Sequence, residues 1–402
     1  MKKSMLMVLC LIMAMIMFGC KKNEELKIRD SEPFWLNNVI KDESVLIVEE
    51  NNECFGTLAF IPKKIISIKD SSLQIKYVEN KDYVIEENKI IRTKDSKMPY
   101  LKKEVLYGIN MPENEGLSTQ PASQYGIEKG YDKVLYTESA FIFKKQIFVT
   151  YEYDKNDAVN YKIPYLGDKM PNTMKILNKG NPLSIVVYGA STSTGCNASG
   201  SELISVYGDP NSQYVSWGIE PFGKSFPELF AGELKFNYKS EIELLSAAKG
   251  GTTSDWGRQN ALTRAYNPDF GYTPDLVLIL FGTNDSTLYM KESKFKDNIT
   301  TIINDIREAS NKTVEFILIG GAQTNEDAVQ FGKGTNYYSQ LNEIANEYEG
   351  VIAVDVGAIH KMLLQNKNYA DFTANNINHP NDYLHRIYAM VLNAALINYE
   401  DE

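Results

Sequence analysis

The stretch Pro182-Leu183-Ser184-Ile185-Val186-Val187-Tyr188-Gly189-Ala190-Ser191-Thr192-Ser193-Thr194-Gly195 decides the fold. From Leu183 to Tyr188 it is almost wholly apolar and rich in β-branched residues, which reads as a strand buried on both faces. The remainder is glycine, alanine and hydroxyl residues, the composition of a tight turn leading into a helix. Similar apolar runs follow at Ile242–Ala247, Leu276–Phe281, Val314–Ile319 and Val351–Val354. The segments between them are helical in pattern. Phe295, Ile299, Ile302, Ile303 and Ile306 make one stripe, and Ser225 to Glu228 forms a capping box. Apolar strands alternating with helices predict a parallel sheet covered on both faces, so residues 182–402 read as an α/β domain.

Upstream the periodicity is different. From about Ser44 to Tyr153 short β-rich runs alternate with polar turns; Leu73-Gln74-Ile75-Lys76-Tyr77 puts its apolar residues on one face. This predicts a β-sandwich over residues 36–165, with a surface loop at Met111–Gln124, followed by a linker at 166–181. There is no internal repeat.

The N-terminus speaks to location. Lys2 and Lys3 precede an apolar run, Met5 to Phe18, too short to span a bilayer, and the run ends in Phe18-Gly19-Cys20. This resembles a bacterial lipoprotein signal, residues 1–19, with Cys20 as the lipidated residue and 20–35 as a polar tether. The protein is accordingly expected outside the cytoplasm, lipid-anchored to the bacterial cell membrane. Loss of Lys2 and Lys3 takes the formal charge from −10 to −12, which argues against nucleic acid as a partner. Beyond the signal only Cys54 and Cys196 remain as ordinary thiols, so no disulfide framework is expected. No Cys/His grouping has metal-ligand spacing, and neither a metal nor a cofactor is expected.

Four short blocks carry the chemistry. Gly189-Ala190-Ser191 follows the first parallel strand, where a lifted serine hydroxyl would face the cleft and its own N–H a developing oxyanion. The same hydroxyl-rich loop could instead cradle a phosphate or simply cap a helix. Gly250-Gly251 follows the second strand; Gly251 is the favoured oxyanion donor and Gly250 the near alternative. Gly282-Thr283-Asn284-Asp285 follows the third, bringing the Asn284 amide to the same edge. His379-Pro380-Asn381-Asp382 precedes the last helix, so His379 can lean over the sheet toward Ser191, whereas His385 falls inside that helix and His360 on the surface of an earlier one.

In this order the blocks resemble those of the SGNH branch of the GDSL hydrolases, from about Pro182 to Glu402. The resemblance implies a flavodoxin-like three-layer domain. It assigns Ser191 as nucleophile and His379 as base, with the Ser191 amide, Gly251 and Asn284 as oxyanion hole. One position departs: the family usually carries aspartate three residues before the histidine, and here that residue is Asn376. The second carbohydrate-esterase family is similar in having a jelly-roll-like β-sandwich before the hydrolase domain and a histidine that a backbone carbonyl can orient. This implies an esterase removing acetyl groups from carbohydrate through a Ser–His dyad. Asn376 and Asp371 are the other candidates for orienting His379, with Asp382 left to cap the final helix. The rival readings are an esterase, lipase or acyltransferase acting on another short acyl ester of the cell envelope, and a noncatalytic glycan-binding lipoprotein.

Overall fold

The computed structural model describes residues 28–205, 216–329 and 337–399; the expected signal peptide and Cys20 lie outside the described residues. The N-terminal half is built mainly of antiparallel strands. One sheet has the order β1 (Val39–Leu46), β11 (Gln146–Glu152), β4 (Lys64–Asp70), β5 (Lys76–Tyr77). The other has the order β6 (Tyr83–Glu86), β7 (Lys89–Arg92), β3 (Glu53–Thr57), β2 (Val48–Glu50), β8 (Leu101–Lys102). Their inner faces share one apolar cluster, with Val45, Ile68, Ile147 and Val149 from the first sheet and Tyr83 and Ile90 from the second. A separate hairpin pairs β9 (Leu117–Pro121) with β10 (Lys133–Thr137).

Three expectations need correction here. Phe34 and Trp35, assigned to the tether, are buried in the core, and Ser31 with Arg29 binds Glu233. The segment 111–124 is not all loop, because Leu117–Pro121 finds its hydrogen-bonding partner in Lys133–Thr137, which local turn signals could not reveal. Within the expected linker, Pro171–Leu177 is a helix whose first-turn Asn172 and Thr173 N–H groups donate to the Glu315 carboxylate at 2.9 and 2.8 Å.

The C-terminal half is a three-layer α/β domain. Its sheet is wholly parallel with order β13 (Ile242–Ser246), β12 (Leu183–Gly189), β14 (Leu276–Leu280), β15 (Glu315–Gly320), β16 (Val351–Asp355). Alternate strand residues feed opposite faces. Ile185, Val187, Leu276 and Leu278 pack under the helices 226–238, 356–363 and 382–396. Val186, Tyr188, Val277 and Ile279 meet the other layer, where the stripe Phe295, Ile299, Ile302, Ile303 and Ile306 is fully buried. The first face continues into the core of the β half, so the two halves share one apolar interior.

A buried charge cluster fastens that junction. The Lys367 ammonium lies 2.7 Å from Glu43 Oε1 and 3.4 Å from Asp371 Oδ2, with none of the three side chains exposed. It also donates to the Ser44 and Thr57 carbonyls at 3.0 and 2.9 Å. Two buried carboxylates would be left facing one another without it. Lys367→Ala is therefore expected to destabilise the fold by about 3–5 kcal/mol, read as a lower urea midpoint. An unchanged midpoint would show that the cluster does not fasten the halves.

Candidate active site

Ser191 stands at the carboxyl end of β12, between β13 and β14, where consecutive connections leave the sheet in opposite directions and open a crevice. The turn requires glycine at 189: a Cβ there would meet the Leu280 carbonyl oxygen at 2.2 Å and Ser193 Oγ at 2.3 Å. That close approach of β12 to β14 lets Ser191–Thr194 wind into a 3₁₀ turn, ended by Gly195 in the left-handed region at φ 77°.

The next two blocks are tied to each other. Gly251 has φ 75°, a left-handed conformation that favours glycine, while the space beside its Cα is open. Asn284 Nδ2 donates to the Thr252 carbonyl at 2.8 Å, fixing the amide and leaving its second N–H for the cavity it lines. Beneath them the buried Asp285 accepts from the Ser254 N–H at 2.9 Å and from the Gly282 N–H at 3.2 Å. Burial raises the Asp285 carboxyl above its usual range, although these hydrogen bonds oppose the shift. Asn284→Ala is expected to lower kcat about 10²- to 10³-fold with KM little changed, because an oxyanion donor acts on charge that develops only in the transition state. A kcat equal to that of the wild type would remove Asn284 from this role.

His379 arrives on a loop organised by Asn375. The Asn375 Oδ1 accepts from the N–H groups of Ile377, Asn378 and His379 at 2.9, 2.9 and 3.0 Å. The loop is closed by the N–H of Ala374 and the hydroxyl of Thr373, both donating to the His379 carbonyl at 3.0 Å. It places His379 Nε2 2.9 Å from Ser191 Oγ. Both residues are nearly buried, at 5% and 7% exposure, so their contact is shielded from bulk water.

The other ring nitrogen meets an acid from the distant β half. Glu138, just beyond β10, holds Oε2 3.1 Å from His379 Nδ1 across 241 residues of chain. Its Oε1 accepts from Tyr136 Oη at 2.9 Å and Asn375 Nδ2 at 3.1 Å, while its backbone carbonyl accepts from the Trp217 indole at 3.0 Å. Burial works against ionisation, but the hydrogen bonds from His379, Asn375 and Tyr136 outweigh it and hold the carboxyl below its usual range. An ionised carboxylate only accepts, so Nδ1 carries the proton, and in neutral imidazole Nε2 must accept from the Ser191 hydroxyl. Burial also disfavours imidazolium, yet Cys196 and Glu138 beside the ring raise His379 above the ordinary range.

The other candidate orienters are placed elsewhere. Asn376, at φ 66°, turns its amide toward the Leu106 and Leu135 carbonyls, both at 3.2 Å, and serves the junction with the β half. Asp371 accepts from the Leu46 N–H at 2.7 Å, and a carboxylate rather than a backbone carbonyl faces Nδ1. The final helix is capped by Asn381, which accepts from the Leu384 N–H, while Asp382 binds Ser199. His385 sits inside that helix and donates from Nε2 to the Cys196 carbonyl at 3.0 Å, its Nδ1 accepting from the Phe226 N–H. His360 is buried rather than on a helix surface, with Nδ1 accepting from the Gln323 N–H at 3.1 Å. Burial lowers His360 to about 3 and His385 to about 4.

The family model of GDSL-like lipases and acylhydrolases matches residues 188–387, from the end of β12 into the final helix. The C-terminal domain belongs to the GDSL-like lipase/acylhydrolase family. The lipoprotein YqeF of Bacillus subtilis (strain 168) is 24% identical over 162 residues, 39% of this chain and 62% of that relative. Among solved structures, a two-domain esterase active on acetylated mannans is similar at 20% identity and TM-score 0.41, over 56% of this chain and 50% of its own. An acetylxylan esterase, Axe2, from Geobacillus stearothermophilus is similar at 18% identity and TM-score 0.38, over 52% of this chain and 92% of its own. The matches thus span less than two thirds of the lipoprotein and half of the two-domain esterase.

In this GDSL-like domain the blocks converge on a cavity of about 330 Å³, lined by Ser191, Gly251, Asn284 and His379 from the domain itself. The β half closes it with Gln120, Tyr136 and Glu138. These residues carry no local signal. The one hint in the sequence was the absence of aspartate at position 376, which requires that any acid come from outside the histidine loop.

Proposed function

We propose that the protein is a serine esterase, anchored to the cell surface through Cys20, that removes acetyl or similarly short acyl groups from carbohydrate. The observation that carries the reading is the 2.9 Å contact between Ser191 Oγ and His379 Nε2 beside Gly251 and Asn284. As the hydroxyl attacks the ester carbonyl, its proton passes to Nε2 and the Glu138 carboxylate stabilises the imidazolium. The N–H groups of Ser191 and Gly251 and the Asn284 amide receive the oxyanion. Collapse of the tetrahedral intermediate breaks the bond to the alcohol, which leaves with the Nε2 proton. Water, deprotonated by the same nitrogen, then releases the carboxylic acid and restores Ser191.

Small cavity volume supports a short acyl group, and the amide and hydroxyl groups lining its wall suit a polyhydroxylated alcohol. The sequence resemblance to two-domain carbohydrate esterases points the same way. A series of 4-nitrophenyl esters should show the highest kcat/KM for acetate, falling with chain length, and mono-O-acetylated glycosides should release acetate. Preference for long acyl chains would favour the lipase reading instead. The likeness to a protein named a lipoprotein supports surface anchoring. Cys20→Ser is accordingly expected to release the protein from the membrane fraction or leave its precursor unprocessed; unchanged fractionation together with no lipid on Cys20 by mass spectrometry would refute lipid attachment there.

A further inference from the structure

We propose that the β9–β10 hairpin of the N-terminal half forms the subsite for the alcohol portion of the ester, with the Gln120 carboxamide binding a sugar hydroxyl next to the scissile bond. This rests on the esterase reading above and adds to it the residue that selects the alcohol.

The pairing of the hairpin sets Gln120 opposite Val134 and Ser118 opposite Tyr136. With a side-chain period of two, residues 120, 122, 134 and 136 share one face. That face is pressed onto the catalytic loop: Ala122 and Val134 form an apolar cluster with Ala328 and Ile377, and Tyr136 packs against it. Ile377 is two residues from His379. The contact fixes where the remaining hairpin side chains emerge, and both Gln120 and Tyr136 open into the cavity around Ser191 and His379.

Reaction geometry assigns that side of the cavity. The oxyanion must point toward Gly251 and Asn284, and the departing alcohol must take its proton from His379 Nε2. The alcohol therefore lies on the His379 side, against the hairpin. Tyr136 already donates to Glu138. Gln120 is half-buried, and its carboxamide meets no protein partner among the described residues, so a donor and an acceptor both face the cavity. A carboxamide complements a hydroxyl or a pair of neighbouring hydroxyls, and an aryl leaving group offers it no hydroxyl beside the scissile bond.

The test compares two esters of the same acyl group, a methyl mono-O-acetyl-glucopyranoside and 4-nitrophenyl acetate. Gln120→Leu, similar in size but without the amide, should lower kcat/KM for the sugar ester about tenfold or more and leave the aryl ester within about twofold. Gln120→Glu, which keeps an acceptor, should fall between. Equal losses on both esters, or none on either, would overturn the subsite. A wild-type enzyme that cleaves only the aryl ester would also overturn it while leaving the esterase reading intact. Inactivity on both would remove the reading beneath it.

Discussion

Replacing Ser191 with alanine is expected to lower kcat on 4-nitrophenyl acetate by about 10⁵- to 10⁶-fold, the scale of loss when a nucleophile acting as a unit with its base is removed. The size of the effect follows from how the serine is held. Gly189 brings the end of β12 against β14, and the following 3₁₀ turn presents the hydroxyl to His379 at 2.9 Å, with both side chains nearly buried. Alanine fits the same turn, so the fold should stay intact by circular dichroism while the bond-forming atom is gone. His379→Ala should lose nearly as much, because neither group works without the other. His385→Ala should keep the chemistry in whatever fraction folds, since that ring serves the Cys196 carbonyl and the Phe226 N–H. An Ser191→Ala variant with wild-type turnover would end the nucleophile assignment.

Glu138→Gln is expected to cost about 10²- to 10⁴-fold in kcat, although Glu138 lies in the other half of the chain. The glutamine amide keeps the shape but removes the charge, and it can donate to Nδ1 and so favour the wrong tautomer for Ser191. The pH profile separates this role from simple packing. In the wild type the neighbouring carboxylate helps raise His379 above the ordinary imidazole range, so the acid limb of kcat/KM is expected on the alkaline side of that range. Removing the negative charge destabilises imidazolium, lowers the histidine pKa and moves the limb toward acid. Glu138→Asp retains the charge, and should keep the limb near its wild-type place while losing rate through its shorter reach. A Glu138→Gln enzyme with unchanged rate and unchanged limb would leave His379 oriented by something else.

The sequence was most informative where chemistry and local structure coincide. Each strand of the parallel sheet was legible because burial on both faces leaves it apolar throughout, and the 18-residue helix Glu292–Ala309 because its stripe repeats at the helical period. Ser191, Gly251, Asn284 and His379 stood out because each block follows a strand or precedes a helix at one edge of that sheet. Contacts between the halves left no local trace. Glu138 looks like any polar residue after a strand until the fold brings it to His379. Position 376 was misleading for the same reason: the residue that shapes the histidine loop is Asn375, whose side chain caps three successive N–H groups, while Asn376 serves the junction between the halves. The hairpin strand Leu117–Pro121 was hidden within a proline- and glycine-rich stretch, since its partner, not its own composition, makes it a strand.

The most direct measurement of the central claim is acid quench of wild-type protein during turnover of 4-nitrophenyl acetate, followed by peptide mass spectrometry. The account predicts an acetyl group on the peptide containing Ser191, on the Ser191 hydroxyl, and none there in Ser191→Ala or His379→Ala. Turnover with Ser191 unmodified, or an acetyl group on another residue that persists in Ser191→Ala along with the activity, would contradict it.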